Sequence, residues 1–173
     1  MAVILITGGA RSGKSKRAEM RTRAFPGQPV YVATAEALDT EMEARIAKHR
    51  ARRGTDWIER EVPLDLVPAL VATDGGGARL VDCLTLWLSN LMHAERDWER
   101  EIEELAGALP RLKSPVVLVT NEVGLGIHPE TELGRRYRDL LGRVNRIWAQ
   151  AAERSLLIVA GRSLPLHDPW ELL

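Results

Sequence analysis

The fold of this chain is decided by the stretch Gly8-Gly9-Ala10-Arg11-Ser12-Gly13-Lys14-Ser15. It matches G-x-x-x-x-G-K-[ST], the pattern of a phosphate-binding loop. The apolar, β-branched run 2–7 before it is typical of a buried strand, and the stretch after it, free of Gly and Pro, is typical of a helix. A strand, a Gly-rich turn and a helix in that order are the context that the motif requires.

This loop is suited to an anion because glycines let the backbone approach a ligand closely. Successive N–H groups would point at a phosphate, and the N-terminus of the following helix adds positive dipole. Lys14 is predicted to reach the β- and γ-phosphates of a nucleoside triphosphate, and the Ser15 hydroxyl to bind Mg²⁺. The alternative is a Gly-rich turn without a ligand. The reaction stays open, since kinases, switches and motors share this loop.

The composition is that of an ordinary soluble globule, with 173 residues, 45% of them hydrophobic and 28% charged. We expect one domain over residues 1–173. Lys+Arg 24 against Asp+Glu 24 gives no net charge, which disfavours nucleic acid as a partner. No run is long enough for a membrane span, and the apolar start is too short for a signal peptide. Cys83 is the only cysteine. It therefore has no disulfide partner, which favours the cytoplasm, and its place in a predicted strand favours a buried, inert thiol.

The remaining pattern alternates strands and helices. Further strands are predicted at 30–33, 57–62, 78–82, 114–120 and 155–160, and helices at 14–24, 39–53, 65–72, 84–93, 97–109 and 130–154. Because the strands are apolar throughout, they favour a mostly parallel sheet with helices on both faces. The fold class is therefore α/β, as one P-loop NTPase-like domain.

Residues at or just past the C-terminal ends of strands are candidates for the site, because these ends face the ligand crevice in such sheets. Thr34 and Ala35 are candidate nucleotide contacts, with a plain loop as the alternative. Asp82 is the candidate acid for Mg²⁺, with a capping Asp as the alternative. Glu122 could orient a substrate hydroxyl or a water, or could bond the backbone N–H groups of a structural turn.

The helix predicted at 39–53 begins at the cap candidate Asp39 and is rich in helix formers. Met42, Ile46 and His49 fall on one stripe. A solvated basic face would not need a histidine on an apolar stripe. Two interpretations of His49 stay open: a packed or surface histidine, and a catalytic one.

Arginines surround this histidine in sequence. Arg45, His49 and Arg53 are spaced four apart, which predicts two guanidiniums stacked about one imidazole. Arg50 and Arg52 add to the cluster. Because neighbouring cations disfavour the imidazolium, His49 is expected to be neutral and nucleophilic near pH 7.

The helix predicted at 130–154 is amphipathic. Its apolar stripe, expected to face the core, comprises Leu133, Tyr137, Leu140, Leu141, Val144, Ile147, Trp148 and Ala151. The apolar tail 161–173, with Leu164 and Trp170, is expected to dock on this or a neighbouring subunit.

Taken together, these motifs resemble the bifunctional adenosylcobinamide kinase / adenosylcobinamide-phosphate guanylyltransferase family of cobalamin biosynthesis. The resemblance covers nearly the whole chain. It rests on residues 7–15, 31–35, 119–127 and 137–139, on 142–145, and on positions within 39–50.

The resemblance implies roles for particular residues. His49 matches the family's guanylylated histidine, and Lys14 acts in catalysis. The implied nucleotide contacts are Gly8, Gly9, Ala10, Arg11, Ser12, Gly13, Lys14, Ser15, Ala33, Thr34, Ala35, Arg50, Ala51, Arg52, Arg53, Glu61 and Asp82. The family also implies a homotrimer.

Two reactions would follow from the resemblance. ATP or GTP would phosphorylate adenosylcobinamide, with Lys14 and with Mg²⁺ on Ser15 and Asp82 stabilising the charge. His49 would then take GMP from GTP and pass it to adenosylcobinamide phosphate. Three rival hypotheses remain. The protein could be a single-function small-molecule kinase, which would not need His49, or it could keep only the transferase activity. It could also be a GTP-binding switch, although the chain lacks an Asn-Lys-x-Asp-like guanine motif.

Overall fold

The computed structural model describes residues 2–37 and 40–168, without the side chains of residues 41, 45 and 52. The strands are β1 Val3–Gly8, β2 Val30–Ala33, β3 Ile58–Glu61, β4 Arg79–Asp82, β5 Val116–Val119, β6 Arg154–Val159 and β7 Arg162–Leu166. The helices are α1 Lys14–Arg23, α2 Thr40–Arg53, α3 Leu66–Ala72, α4 Leu84–His93, α5 Trp98–Ala108 and α6 Glu132–Ala151, with a 3₁₀ turn at Leu109–Arg111. In this described part, no helix is both long and apolar enough to cross a membrane.

The strands form one sheet in the order β3-β2-β4-β5-β1-β6-β7. All neighbours pair in parallel except β6 and β7, which are antiparallel. In this order, the connection from β1 leads toward one edge of the sheet, to β2, whereas the connection from β5 leads toward the opposite edge, to β6. Connections that diverge in this way open a crevice at the carboxyl ends of β1 and β5, where ligands bind in such folds.

The central strand β1 buries both of its faces. Val3 and Leu5 pack in one apolar cluster with α3, α4, α5 and α6, whereas Ile4 and Ile6 pack in a second cluster with Ala18 of α1. The alternation follows from the two-residue period of a strand. The predicted parallel sheet with helices on both faces is confirmed.

Helix α6 is shorter and less buried than its pattern predicts. Leu133 is 67% exposed and Ile147 is 36% exposed, so their predicted place in the core is wrong. The buried stripe is narrower and centres on Leu141, Val144 and Trp148. Arg154, which is predicted to end the helix, belongs to β6 instead.

Two details near the ends of strands also differ from expectation. Cys83 follows β4 rather than lying inside it, although the prediction of a buried thiol is confirmed. The tail forms the unexpected strand β7, which docks through backbone bonds to β6 and leaves the side chains of Leu164 and Leu166 exposed. Residues 169–173, with Trp170, lie outside the described residues.

Candidate active site

The loop between β1 and α1 is wound tightly. Gly8 has a φ of 155°, and a Cβ there would lie 2.5 Å from the Ile158 carbonyl oxygen, so the position requires glycine. Gly13, just before α1, has a φ of 96°. Arg11 also has a positive φ, 56°, which is uncommon for a residue with a side chain. The backbone therefore has the compact form that the motif predicts.

Hydrogen bonds from the turn between β6 and β7 fasten this loop. The Gly161 N–H donates to the Ser12 carbonyl at 2.9 Å, and the Gly161 carbonyl accepts from Nε and Nη2 of Arg17 at 3.0 and 2.6 Å. Lys14 is buried, and its Nζ donates to the Gly9 carbonyl at 3.1 Å. Among the described residues, the Ser12 Oγ is a buried polar atom without a hydrogen-bond partner. A phosphate oxygen in the loop would supply one.

A cavity of about 590 Å³ opens beside the loop, at the carboxyl edge of the sheet. It lies where α1, α2 and the ends of β2, β3 and β4 meet. The residues of the predicted site that line it are Lys14, Ser15, Ala33, Ala35, His49, Arg50, Arg53, Glu61 and Asp82. The loop lysine and the candidate nucleophile therefore share one cavity although they come from different helices.

Helix α2 turns its predicted stripe toward this cavity. Met42, Ile46 and His49 all line it, as their shared face requires. The stripe therefore covers a ligand-sized space and does not pack into the core. His49 itself is half-buried and makes contacts with the rest of the protein.

Carboxylates of β3 neutralise much of the arginine cluster. Arg50 pairs through Nε with Glu59 at 2.8 Å and through Nη2 with Glu61 at 2.9 Å. Arg53, only 5% exposed, pairs with Glu59 at 2.6 Å. The Arg53 guanidinium also lies over the ring of Tyr31, 3.6 Å from its centroid. Strand β3 thus supplies counter-charges for these two arginines of the predicted cluster.

Glu59 stays ionised at this junction. Burial would raise the pKa of Glu59, but the hydrogen bonds and charges of Arg53 and Arg50 outweigh it and lower the pKa below its ordinary value. Hydrogen bonds with Glu61 and Glu59 in turn raise the pKa of Arg50 above its ordinary value. The pairs therefore persist at neutral pH and tie α2 to the sheet.

Asp82 and Ser15 are candidate ligands for a nucleotide-bound Mg²⁺. Both line the cavity. Mg²⁺ at such sites needs only one or two protein oxygens besides the phosphates and water, so this pair fits. Within residues 2–37 and 40–168, no group of three or more His, Cys, Asp or Glu residues could hold a metal by itself.

Tyr31 is a site residue that sequence reasoning misses. Its hydroxyl donates to Asp82 Oδ2 at 3.0 Å. Burial, and next the charge of Asp82, raise the pKa of Tyr31, so the phenol stays a donor near neutral pH. The available signal is its spacing of two from Ala33, which places both on one face of β2.

Thr34, Ala51 and Glu122 are not among the described residues that line the cavity. Thr34 is fully buried, and its hydroxyl accepts from the Cys83 N–H at 2.8 Å and donates to the Cys83 carbonyl at 2.7 Å. It thus joins the ends of β2 and β4 behind the cavity wall. Ala51 is exposed on α2, and the side chain of Arg52 lies outside the described part. Glu122 Oε1 accepts from the Gly124 N–H at 2.6 Å, as in the structural turn that was the second alternative for it.

Solved structures share this fold. The flagellar accessory protein FlaH from Methanocaldococcus jannaschii matches with a TM-score of 0.53 and 15% identity, over 94% of this chain and 74% of that one. An ATPase from the type III secretion system of pathogenic bacteria matches with a TM-score of 0.54 and 11% identity, over 99% of this chain and 60% of that one. At such identities the likeness concerns the fold alone, and it confirms the P-loop NTPase-like class.

Relatives at higher identity match nearly end to end. The bifunctional adenosylcobalamin biosynthesis protein CobP of Pseudomonas aeruginosa is 47% identical over 166 residues, which cover 94% of this chain and 95% of that protein. The bifunctional adenosylcobalamin biosynthesis protein CobU of Salmonella typhimurium is 43% identical over 177 residues, covering 92% and 96%. The sequence profile described as cobinamide kinase / cobinamide phosphate guanyltransferase matches residues 4–166. This chain belongs to the cobinamide kinase / cobinamide phosphate guanyltransferase family.

Proposed function

We propose that this protein phosphorylates adenosylcobinamide and then transfers GMP from GTP to adenosylcobinamide phosphate through a guanylylated His49. The observation that carries the proposal is that His49 lines the same cavity as Lys14 and Ser15. A nucleophile and a phosphate cradle must share one space for the imidazole to attack a bound triphosphate. A kinase without the transferase activity would not need a histidine there.

In the kinase reaction, the γ-phosphoryl group of ATP or GTP passes to the aminopropanol hydroxyl of adenosylcobinamide. Lys14 and the loop amides stabilise the charge that spreads over the transferred group. When bound by Ser15 and Asp82, Mg²⁺ would neutralise charge on the phosphates. The loop is already fastened by Gly161 and Arg17, so little reorganisation is needed.

In the transferase reaction, a ring nitrogen of His49 attacks the α-phosphorus of GTP. A P–N bond forms, the bond to the β-phosphate oxygen breaks, and pyrophosphate leaves. A phosphate oxygen of adenosylcobinamide phosphate then attacks the same phosphorus and breaks the P–N bond, giving adenosylcobinamide-GDP and free histidine. The covalent step replaces one encounter of two anions with two easier displacements. Arg50 and Arg53, positioned by Glu59, line the cavity in which these negatively charged phosphates would react.

The proposal includes an assembly state and a compartment. We expect one domain over the whole chain and a homotrimer. The exposed apolar side chains of Val159, Leu164 and Leu166 on β6 and β7 support an interface between copies. Sedimentation equilibrium, which measures the mass of the assembly, tests the expected homotrimer. The single, buried thiol of Cys83 is compatible with the cytoplasm as the site of action.

Labelled GTP tests the central claim. Protein incubated with α-labelled GTP and Mg²⁺ should retain label that survives alkali and is lost in acid, as a phosphoramidate does, whereas γ-labelled GTP should leave none. His49→Ala should abolish this adduct but retain phosphorylation of adenosylcobinamide with ATP. His93→Ala is the matched control, since His93 is an exposed histidine on α4 that bonds the Ser89 carbonyl.

The outcomes separate the hypotheses. An adduct that persists in His49→Ala, or wild-type protein that acquires no label, contradicts the transferase claim. Phosphorylation without any nucleotidyl transfer would leave the single-function kinase.

A further inference from the structure

The side chain of Asp82 is held by one phenol. The register of β2 with β4 sets Ala33 opposite Asp82 and Tyr31 opposite Leu80, which fixes the backbone of both strands. The Tyr31 hydroxyl donates to Asp82 Oδ2 at 3.0 Å, and this bond fixes how the carboxylate is turned. A carboxylate with one oxygen bonded in this way can present its other oxygen to a ligand.

The phenol is itself immobilised. Tyr31 is only 4% exposed. Its ring packs against Arg53, with the guanidinium carbon 3.6 Å from the centroid, and meets the edge of Trp57 at 5.8 Å in a T-shaped contact. Arg53 is in turn fixed by Glu59 at 2.6 Å. A buried ring with neighbours such as these keeps its hydroxyl on Asp82.

The same ring reaches the helix that carries the nucleophile. Arg53 lies four residues after His49, one helical turn along the same face of α2. The contact of Tyr31 with Arg53 therefore joins the Asp82 side of the cavity to the His49 side. No motif in the sequence predicts this connection, because Tyr31 and Asp82 are 51 positions apart.

We propose that Tyr31 is a positioning residue of this site. Its hydroxyl holds the Asp82 carboxylate in the orientation that binds the metal ion of the nucleotide, and its ring supports Arg53, the last residue of the helix that carries His49. The inference rests on the proposed function, in which Asp82 is a metal ligand.

Tyr31→Phe tests the hydroxyl alone, because the ring and its contacts with Arg53 and Trp57 remain. The first readout is Mn²⁺ affinity, measured from the electron paramagnetic resonance of free Mn²⁺ over protein saturated with α,β-methylene-GTP. This analogue cannot be cleaved between the α- and β-phosphates, so no adduct forms. Loss of a hydrogen bond to a ligating carboxylate should weaken Mn²⁺ binding about tenfold.

The second readout is the Mg²⁺ concentration that half-saturates formation of the His49 adduct. It should rise about tenfold in Tyr31→Phe, with the plateau rate at high Mg²⁺ nearly retained. A merely structural defect would lower the plateau without moving this midpoint.

Tyr137→Phe is the matched control. Tyr137 is less buried than Tyr31, and its hydroxyl likewise makes one hydrogen bond, donating to the Thr85 carbonyl at 2.7 Å. Both variants lose one phenol bond, so a similar fall in melting temperature is expected, but only Tyr31→Phe should change metal affinity. The inference is overturned if the Mn²⁺ affinity and the Mg²⁺ midpoint are equal in the two variants. In that case, formation of the wild-type adduct would still uphold the proposed function. If the wild-type protein binds no Mn²⁺ together with the nucleotide, Asp82 is no metal ligand and the inference falls, whereas the proposed function is decided separately by the His49 adduct.

Discussion

Glu59 is the carboxylate on which two arginines of α2 converge. Arg53 is 5% exposed, and the side chain of Glu59 is 27% exposed. Breaking a buried ion pair costs about 3–5 kcal/mol, because the remaining charge stays buried without its partner. The partial exposure of Glu59 reduces this, so Glu59→Gln should favour opening of α2 by about 2 kcal/mol. That is a rise of roughly 30-fold in the opening equilibrium.

Hydrogen–deuterium exchange of peptides from α2 measures this opening. Exchange in Glu59→Gln should be faster by roughly the same 30-fold factor, while peptides from α6 keep their wild-type rates. Glu61→Gln is the matched control: its side chain is 74% exposed and pairs with Arg50 at the surface, where ion pairs contribute about 0–1 kcal/mol. Exchange of α2 that stays within about threefold of wild type, or equals that of Glu61→Gln, refutes the reasoning.

The stabilisation of α2 by the ion pairs of Glu59 should depend on pH. Arg53 and Arg50 lower the pKa of Glu59 in the folded protein from its ordinary value of 4.5, against the effect of burial. The stabilisation is therefore complete above pH 4.5 and is lost as the pH falls through the folded-state pKa. With intrinsic exchange rates corrected for pH, the gap between wild type and Glu59→Gln should be constant from pH 7 to about 5 and should shrink below pH 4.5. A gap that widens in acid would contradict this sign.

Two further predictions concern the loop and the buried thiol. Gly8→Ala should lower the free energy of unfolding in urea by about 2–3 kcal/mol, because its Cβ would meet the Ile158 carbonyl at 2.5 Å. Gly9→Ala, where a Cβ meets nothing within 4 Å, should change it by less than about 1 kcal/mol, and equal losses in the two variants would contradict the packing argument. Burial, followed by the charge of Asp82, raises the pKa of Cys83 to about 11. At pH 8 the native protein should therefore react with a thiol reagent at least about 100-fold more slowly than a free cysteine, and rapid stoichiometric labelling would show that the thiol is accessible.

Patterns between near neighbours in the sequence predict much of this molecule. The P-loop follows from eight consecutive residues, and its strand and helix follow from apolar runs and from the absence of Gly and Pro. The stripe of Met42, Ile46 and His49 follows from helical spacing, and all three line the cavity. Even so, the spacing did not determine whether the stripe faces core or ligand. The helical spacing in α6 likewise predicted Leu133 in the core, but the core does not extend to that end of the helix.

The sequence by itself determined the phosphate cradle, the parallel sheet and the helix that carries His49, because each depends on residues a few positions apart whose backbone preferences act locally. Only the tertiary structure decided that β3 neutralises Arg50 and Arg53, and that Tyr31 holds Asp82. These contacts join side chains from separate elements. Their partners are chosen by strand order and register, which the sheet fixes as a whole.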